Sequence, residues 1–137
     1  AYVKVFSKYG YINKYGKMVV RPRFDKAFDF SADGMAKVAV RNDDSEFYYG
    51  YINRQGEQII PFTYKEARNF CEGLAAVRFQ HKWGFIDTTG KVVIEMAYDT
   101  VYDFADGQAQ LVKEGEDASY KSFIVDREGN VIDSYEM

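Results

Sequence analysis

The repeated stretch of this chain reads Trp83-Gly84-Phe85-Ile86-Asp87-Thr88-Thr89-Gly90-Lys91-Val92-Val93-Ile94, and it decides the fold. Recognisable versions of it occupy residues 9–20 and 49–60, and a more divergent version occupies residues 122–133. The turn glycines of the four copies, Gly16, Gly56, Gly90 and Gly129, lie 40, 34 and 39 residues apart. A period of this length is typical of a tandem repeat architecture.

Each copy predicts a β-hairpin with the same turn. An Asn or Asp stands three residues before the glycine, at Asn13, Asn53, Asp87 and Asp126. Its side chain accepts hydrogen bonds from the amides that follow, and a glycine in the left-handed conformation closes a type I turn with a bulge. One such side chain per turn is too few to hold calcium, so we expect no metal there. No G-x-G-x-x-G or Walker pattern is present to hold a phosphate, and we expect no cofactor.

Three strands are predicted around each turn. Strand A, upstream, has apolar residues two apart, as in Ala75 and Val77, which favours a strand with one face toward the core. Strand B precedes the turn and contains a glycine in three copies, Gly10, Gly50 and Gly84, which we expect beneath an aromatic ring or at a bulge. Strand C follows the turn, and Pro22 and Pro61 are predicted to end it in their copies.

Three aromatic connectors join the copies, at residues 24–30, 64–70 and 98–104. Their apolar first, fourth and seventh positions favour an irregular, helix-like turn, although a short fourth strand tolerates the same pattern. We expect the connector rings to supply core between neighbouring units. An exposed aromatic platform for a sugar is the alternative interpretation.

These elements predict an all-β fold, a tandem array of four three-stranded antiparallel β-meanders near residues 1–21, 35–61, 74–95 and 108–133. Each meander is too small to be stable alone, so neighbouring meanders must share a core. The pattern leaves open whether the array is solenoid-like or closes like a small propeller.

Composition and charge exclude several classes of protein. The chain is 47% hydrophobic with two prolines, which excludes a disordered or fibrous protein. Residues 1–98 carry 15 Lys and Arg against 11 Asp and Glu, while residues 99–137 carry 3 against 10. Neither part has the strongly basic face of a nucleic-acid binder, so no nucleic-acid partner is expected. No apolar run approaches the roughly 20 residues of a membrane span, and we expect a soluble protein, cytoplasmic or exported.

The sequence contains no recognisable catalytic set. Cys71 and His81 are the only residues of their types, and no third group orients them as a nucleophile pair. Glycosidase chemistry needs two well-placed carboxylates, and nothing singles out a pair among the 21 acidic residues. We therefore expect no enzymatic activity, with a glycan-active enzyme kept as an alternative.

The hairpins between strands A and B vary in length, and two of them carry acidic insertions. Insertions at equivalent places of a repeat map to one edge of the array, which is often the binding edge. The candidate binding residues are therefore Asp43, Asp44 and Glu46 in one tip and Glu114, Glu116 and Asp117 in the other.

The stretch 82–94, together with Asn69-Phe70 and Glu72-Gly73-Leu74-Ala75, resembles the WG-repeat (KWG-repeat) family. The resemblance covers nearly the whole chain and implies one bacterial β-repeat domain, residues 1–137, with units near 1–34, 35–73, 74–107 and 108–137. It implies a binding role and transfers no catalytic residues. We therefore expect a non-enzymatic interaction module that binds an unidentified protein partner, with a carbohydrate-binding module as the alternative.

Overall fold

The computed structural model describes residues 1–136, which form fifteen β-strands in four antiparallel sheets, here termed units 1 to 4. Unit 1 contains β1 (Tyr2–Val5), β2 (Lys8–Ile12) and β3 (Met18–Phe24). Unit 2 contains β4 (Lys26–Ala27), β5 (Met35–Arg41), β6 (Phe47–Asn53) and β7 (Gln58–Tyr64). Unit 3 contains β8 (Glu66–Ala67), β9 (Leu74–Phe79), β10 (Lys82–Asp87) and β11 (Val92–Tyr98). Unit 4 contains β12 (Thr100–Val101), β13 (Gln108–Glu114), β14 (Tyr120–Asp126) and β15 (Val131–Glu136).

The predicted all-β array of four antiparallel sheets is confirmed, with no helix among the described residues. Unit 1 has the three strands predicted for each meander, whereas units 2 to 4 have four. It follows that no helix in residues 1–136 has the length and apolar character to cross a membrane.

The connectors differ from the conformation that we favoured. Each one contributes a two-residue strand to the sheet that follows, so that Ala27 lies opposite Val38 and Ala67 lies opposite Val77. The preference for an irregular turn was therefore wrong, and the short fourth strand is the observed structure. The physical reason is that strand A has an outer edge of backbone N–H and C=O groups, which the connector strand satisfies.

Strand A of units 2 and 3 is buried on both faces, so the prediction of a single buried face was wrong there. In unit 3, Ala75 and Val77 pack toward unit 2, while Leu74 and Ala76 pack toward unit 4. All four side chains are buried. A sheet that lies between two others has no solvent-facing side, and strict polar alternation is therefore lost.

The core is divided among the three boundaries between consecutive units. Each boundary holds one apolar cluster, and within residues 1–136 no cluster joins unit 1 to unit 4. The described array is therefore open. The ring at the seventh connector position contributes to all three clusters, as predicted. In each cluster it packs against a strand B ring, and the pairs are Tyr11–Phe30, Tyr51–Phe70 and Phe85–Phe104, with centroid distances of 5.1, 4.8 and 5.0 Å.

The turn prediction is confirmed at every copy. Gly16, Gly56, Gly90 and Gly129 have φ values of 78°, 83°, 91° and 88°. In the third copy, the Asp87 Oδ1 accepts the amides of Thr89 at 2.9 Å and Lys91 at 3.0 Å. The Asp87 side chain therefore accepts the predicted amides, and the turn glycine has the predicted left-handed conformation.

The strand B glycines lie opposite a bulge in strand C, as predicted. Trp83 pairs with Tyr98 and Phe85 pairs with Ile94, so three residues of strand C face the single residue Gly84. A Cβ on Gly84 would lie 2.4 Å from the Ile94 carbonyl oxygen. The bulge and the glycine therefore require each other.

Unit 4 provides a natural control for this bulge, because Phe123 occupies the place of the glycine. Phe123 pairs directly with Ser134, and strand C has no extra residues at that point. In units 1 and 2 the bulge contains Pro22 and Pro61, and pairing resumes beyond it. The prediction that these prolines end strand C was wrong, because a bulge leaves residues outside the ladder and so accommodates proline.

Candidate functional site

A carboxylate ties neighbouring units together at two of the three boundaries. Asp99 accepts the Lys82 ammonium at 2.5 Å through one oxygen and the Glu114 amide at 2.7 Å through the other. Asp25 holds the equivalent place between units 1 and 2, with the same two kinds of contact at 2.5 and 2.7 Å. The hydrogen bond from Lys82, followed by that from the Glu114 amide, lowers the pKa of Asp99.

The Asp99→Asn variant should lose about 1 kcal/mol of unfolding free energy at neutral pH, because both contacts weaken without the charge. A carboxylate with a lowered folded-state pKa stabilises the fold fully above its unfolded pKa of about 4, and this contribution disappears as the pH falls through the folded-state pKa. The difference between wild type and variant should therefore shrink below about pH 4 in urea titrations. Asp43→Asn, at an exposed position, is the control, and an equal, pH-independent loss in both variants would contradict the assignment.

The boundary between units 2 and 3 departs from this arrangement. Lys65 stands where Asp25 and Asp99 stand at the other boundaries, and its ammonium pairs with the Glu46 carboxylate. The Lys65 ammonium also lies 4.8 Å from the centroid of the Tyr48 ring. A cleft of about 560 Å³ opens at this boundary, against about 330 Å³ between units 1 and 2.

We term this feature the basic cleft. Its lining consists of Lys26, Lys37, Ser45, Glu46, Phe47, Tyr49, Lys65, Glu66, Ala67 and Arg78. Four of these side chains are cations and two are carboxylates. Both carboxylates are already paired, Glu46 with Lys65 and Glu66 with Arg78 at 3.2 Å. The other two cations of the lining form no ion pair with any residue in 1–136.

These two cations are Lys26 and Lys37, and both lie over aromatic rings. The Lys26 ammonium is 4.0 Å from the centroid of Phe47, and the Lys37 ammonium is 4.3 Å from that of Phe28. Lys37 is half-buried and donates one hydrogen bond, to the Ala67 carbonyl oxygen at 3.1 Å.

Burial lowers the pKa of Lys37, and the nearby Arg68 charge lowers it further. An ammonium has three N–H donors, and Lys37 uses one of them for the Ala67 carbonyl. A bound anion can accept the others and stabilise a charge that water solvates poorly. The arrangement is therefore suited to bind an anionic group.

The structure places the six candidate loop residues in two separate tips. Glu46 lines the basic cleft, while Asp43 and Asp44 lie exposed at the turn beside it. Glu114 and Glu116 line a different cleft of about 300 Å³ in unit 4, near the exposed Asp117. The two tips belong to units 2 and 4 and form no common site, and a binding role for these residues stays a prediction.

Sequence reasoning missed the cations of the cleft. Lys26 and Lys37 lie on the paired strands β4 and β5 of unit 2, and Arg78 on β9 joins them when unit 3 packs against unit 2. One signal was available, because the second connector position reads Asp25, Lys65 and Asp99. A break in a repeated pattern indicates a position under a different constraint.

Cys71 and His81 show no arrangement for nucleophilic chemistry. Burial raises the pKa of the half-buried Cys71 thiol, which disfavours the reactive thiolate. His81 lies exposed between β9 and β10. The absence of enzymatic activity stays a prediction.

Comparisons with known proteins concern the repeats and the fold. The family model described as "WG containing repeat" matches residues 9–42, 49–82 and 83–116. A comparison with curated protein sequences finds no match. Among solved structures, the chain is similar to a crystal structure of "the eukaryotic initiation factor", with a TM-score of 0.58 and 13% identity, over 96% of this chain and 39% of that one. At this identity the likeness shows the fold alone, and this chain spans less than half the length of that protein.

Proposed function

Because this chain belongs to the WG-repeat family, we propose that it is a non-enzymatic interaction module that binds an acidic segment of a partner protein in the basic cleft. The observation that carries the proposal is the pair Lys26 and Lys37. Both ammonium groups lie over aromatic rings in a cleft of about 560 Å³, and neither has a carboxylate partner among the described residues.

Carboxylates are the protein groups that fit this cleft best. An Asp or Glu side chain of a partner accepts charge-assisted hydrogen bonds from the free donors of Lys37, and these are stronger than neutral hydrogen bonds. Partial burial of Lys37 reduces competition from water and salt. Phe47 and Tyr49 add apolar surface for the neighbouring side chains of an extended segment.

The carbohydrate alternative has less support in the geometry. It depended on exposed connector rings, and Phe24, Tyr64, Phe70 and Phe104 lie buried in the boundary clusters. Among the connector rings only Tyr102 is strongly exposed, with 53% of its surface accessible. A single exposed ring makes a poor platform for a sugar, whereas the cations of the cleft favour an anionic ligand.

The test is the affinity of the cleft for a short fluorescein-labelled peptide of alternating Glu and Tyr, followed by fluorescence anisotropy. Lys37→Met keeps the aliphatic stem and removes the charge, so it should weaken binding about tenfold. Lys91→Met, in an exposed turn between strands B and C, is the matched control and should leave the affinity unchanged. Added salt should weaken wild-type binding.

The outcomes separate the classes of function. Equal affinity for wild type and Lys37→Met, or the absence of saturation, contradicts the proposal. If a sulfated oligosaccharide binds more tightly than the peptide, and if this binding depends on Lys37, the cleft is a carbohydrate-binding site, as in the alternative. Turnover of a glycan substrate would instead identify a glycan-active enzyme.

A further inference from the structure

Lys26 and Lys37, the cations of the basic cleft without a carboxylate partner in residues 1–136, lie on one face of the unit 2 sheet. Lys26 in β4 pairs with Ala39 in β5, and Lys37 lies two residues before Ala39 in the same strand. Residues directly opposite each other, and residues two apart in one strand, point to the same face of a sheet. The two lysines are therefore diagonal neighbours, with the buried Ala39 between them.

This face of unit 2 is the one that packs against unit 3. Lys37 pairs with Tyr51 of β6, and Tyr51 belongs to the apolar cluster between units 2 and 3. Lys37 itself crosses the boundary, because its ammonium donates to the Ala67 carbonyl oxygen of unit 3. The two lysines therefore belong to one wall of the basic cleft, which we term the unit 2 wall.

Two rings of β6 lie beside the two ammonium groups. Phe47 and Tyr49 are two residues apart in β6, and Tyr49 pairs with Ala39, so both rings point to the same face as the lysines. The Lys26 ammonium is 4.0 Å from the centroid of Phe47, and the Lys37 ammonium is 6.0 Å from that of Tyr49. Each cation therefore lies beside its own ring of β6, and the unit 2 wall offers two separate positive subsites.

The charged side chains that unit 3 and the β7–β8 turn contribute to the cleft are already paired. Glu66 and Arg78 form an ion pair at 3.2 Å, and Lys65 pairs with Glu46. An incoming anion therefore gains most from the two subsites of the unit 2 wall.

The two subsites are close enough for their charges to interact. Burial lowers the pKa of Lys37 most strongly, and the charges of Arg68 and Lys26 lower it further, against the opposite effect of Asp103 and Glu66. Two carboxylates, one at each subsite, would offset the repulsion between the two ammonium groups.

The separation of the subsites matches the period of an extended chain. Diagonal neighbours on paired antiparallel strands lie about 7–8 Å apart. Alternate side chains of an extended peptide point the same way and lie roughly 7 Å apart, whereas adjacent side chains point to opposite faces. Carboxylates two residues apart can therefore reach Lys26 and Lys37 together, and adjacent carboxylates cannot do so from an extended segment.

We infer that the basic cleft selects an extended segment with acidic residues at positions i and i+2, with one carboxylate bound at Lys26 and the other at Lys37. This inference rests on the proposed function and adds the sequence pattern that the cleft recognises. The residue between the two acids points away from the unit 2 wall, so its identity contributes little to the selection.

The probes are three short fluorescein-labelled peptides of identical composition, each with two Glu residues in a background of Ser. The two Glu residues stand at i and i+1, at i and i+2, or at i and i+3. The i, i+2 peptide should bind the full chain about tenfold more tightly than either isomer, because it alone engages both cations in an extended conformation. Fluorescence anisotropy measures the three affinities without any change to the protein.

Protein variants assign the two subsites. Lys26→Met removes one cation and keeps the aliphatic stem, so it should reduce the affinity for the i, i+2 peptide to that for the isomers. Lys37→Met should abolish the preference in the same way. Lys91→Met, in the exposed turn of unit 3, is the matched control and should keep the full preference.

The outcomes separate this inference from the proposed function. Equal affinities of the three isomers, with the dependence on Lys37 retained, would overturn the inference and leave the binding of acidic segments intact. A preference that persists in Lys26→Met would also overturn it. So would tighter binding of a peptide with one phosphoserine and no Glu, since both lysines would then share a single anion. If the alternating Glu and Tyr peptide fails to saturate, the proposed function and this inference fail together.

Discussion

Gly84→Ala should lower the unfolding free energy by about 3 kcal/mol or more, the largest loss that we expect from so small a change. The added Cβ would lie 2.4 Å from the Ile94 carbonyl oxygen and 2.8 Å from backbone atoms of Glu95. Neither neighbour is a flexible side chain, so the backbone of strand C must move. That movement disrupts the bulge and the boundary core packed on it.

The matched control is Gly73→Ala. Gly73 has a φ of 81° and no atom within 4 Å of its Cβ position, so alanine there incurs only the left-handed penalty of about 1–2 kcal/mol. Urea denaturation of both variants against wild type gives the comparison. Equal losses would show that strand C does not press on Gly84, and the bulge assignment would fail.

Phe85→Ala should cost about 3–5 kcal/mol, since it removes a large ring from the boundary between units 3 and 4. Phe85 is 1% exposed, and its ring packs edge-on against Phe104 with centroids 5.0 Å apart. The cavity left by alanine is enclosed by two sheets, which limits its collapse.

Ile124→Ala tests the same position of the repeat without a following unit. Ile124 occupies in unit 4 the place that Phe85 occupies in unit 3, and it is only partly buried. Its truncation should cost about 1 kcal/mol. Thermal or urea unfolding of both variants would reveal the difference, and losses of similar size would mean that unit 4 does not cover unit 3.

The candidate cleft lies where the repeat is broken. Asp25 and Asp99 tie the units together at two boundaries, and Lys65 replaces that carboxylate at the third. If this residue served only to hold two units together, we would expect the same carboxylate at every boundary of a regular array. Lys65 pairs with Glu46 instead, and Lys26 and Lys37 in the same cleft have no carboxylate partner among residues 1–136. These two cations are the physical basis of the proposed function.

The sequence by itself determined the features that depend on local chemistry. The Asp87 side chain and the positive φ of Gly90 are properties of one short turn, and four repetitions of that turn predicted the four hairpins. The glycine of strand B was informative for a similar reason, because only a close backbone approach or a bulge explains glycine at Gly84.

Only the tertiary structure decided the features that depend on what one unit packs against. The alternation of Ala75 and Val77 is the same whether the other face of the strand meets water or another sheet. The connector forms a strand because a free edge lies beside it, which no local pattern encodes. Lys26, Lys37 and Arg78 form one cleft because units 2 and 3 stack, and that contact joins residues that are distant in the chain.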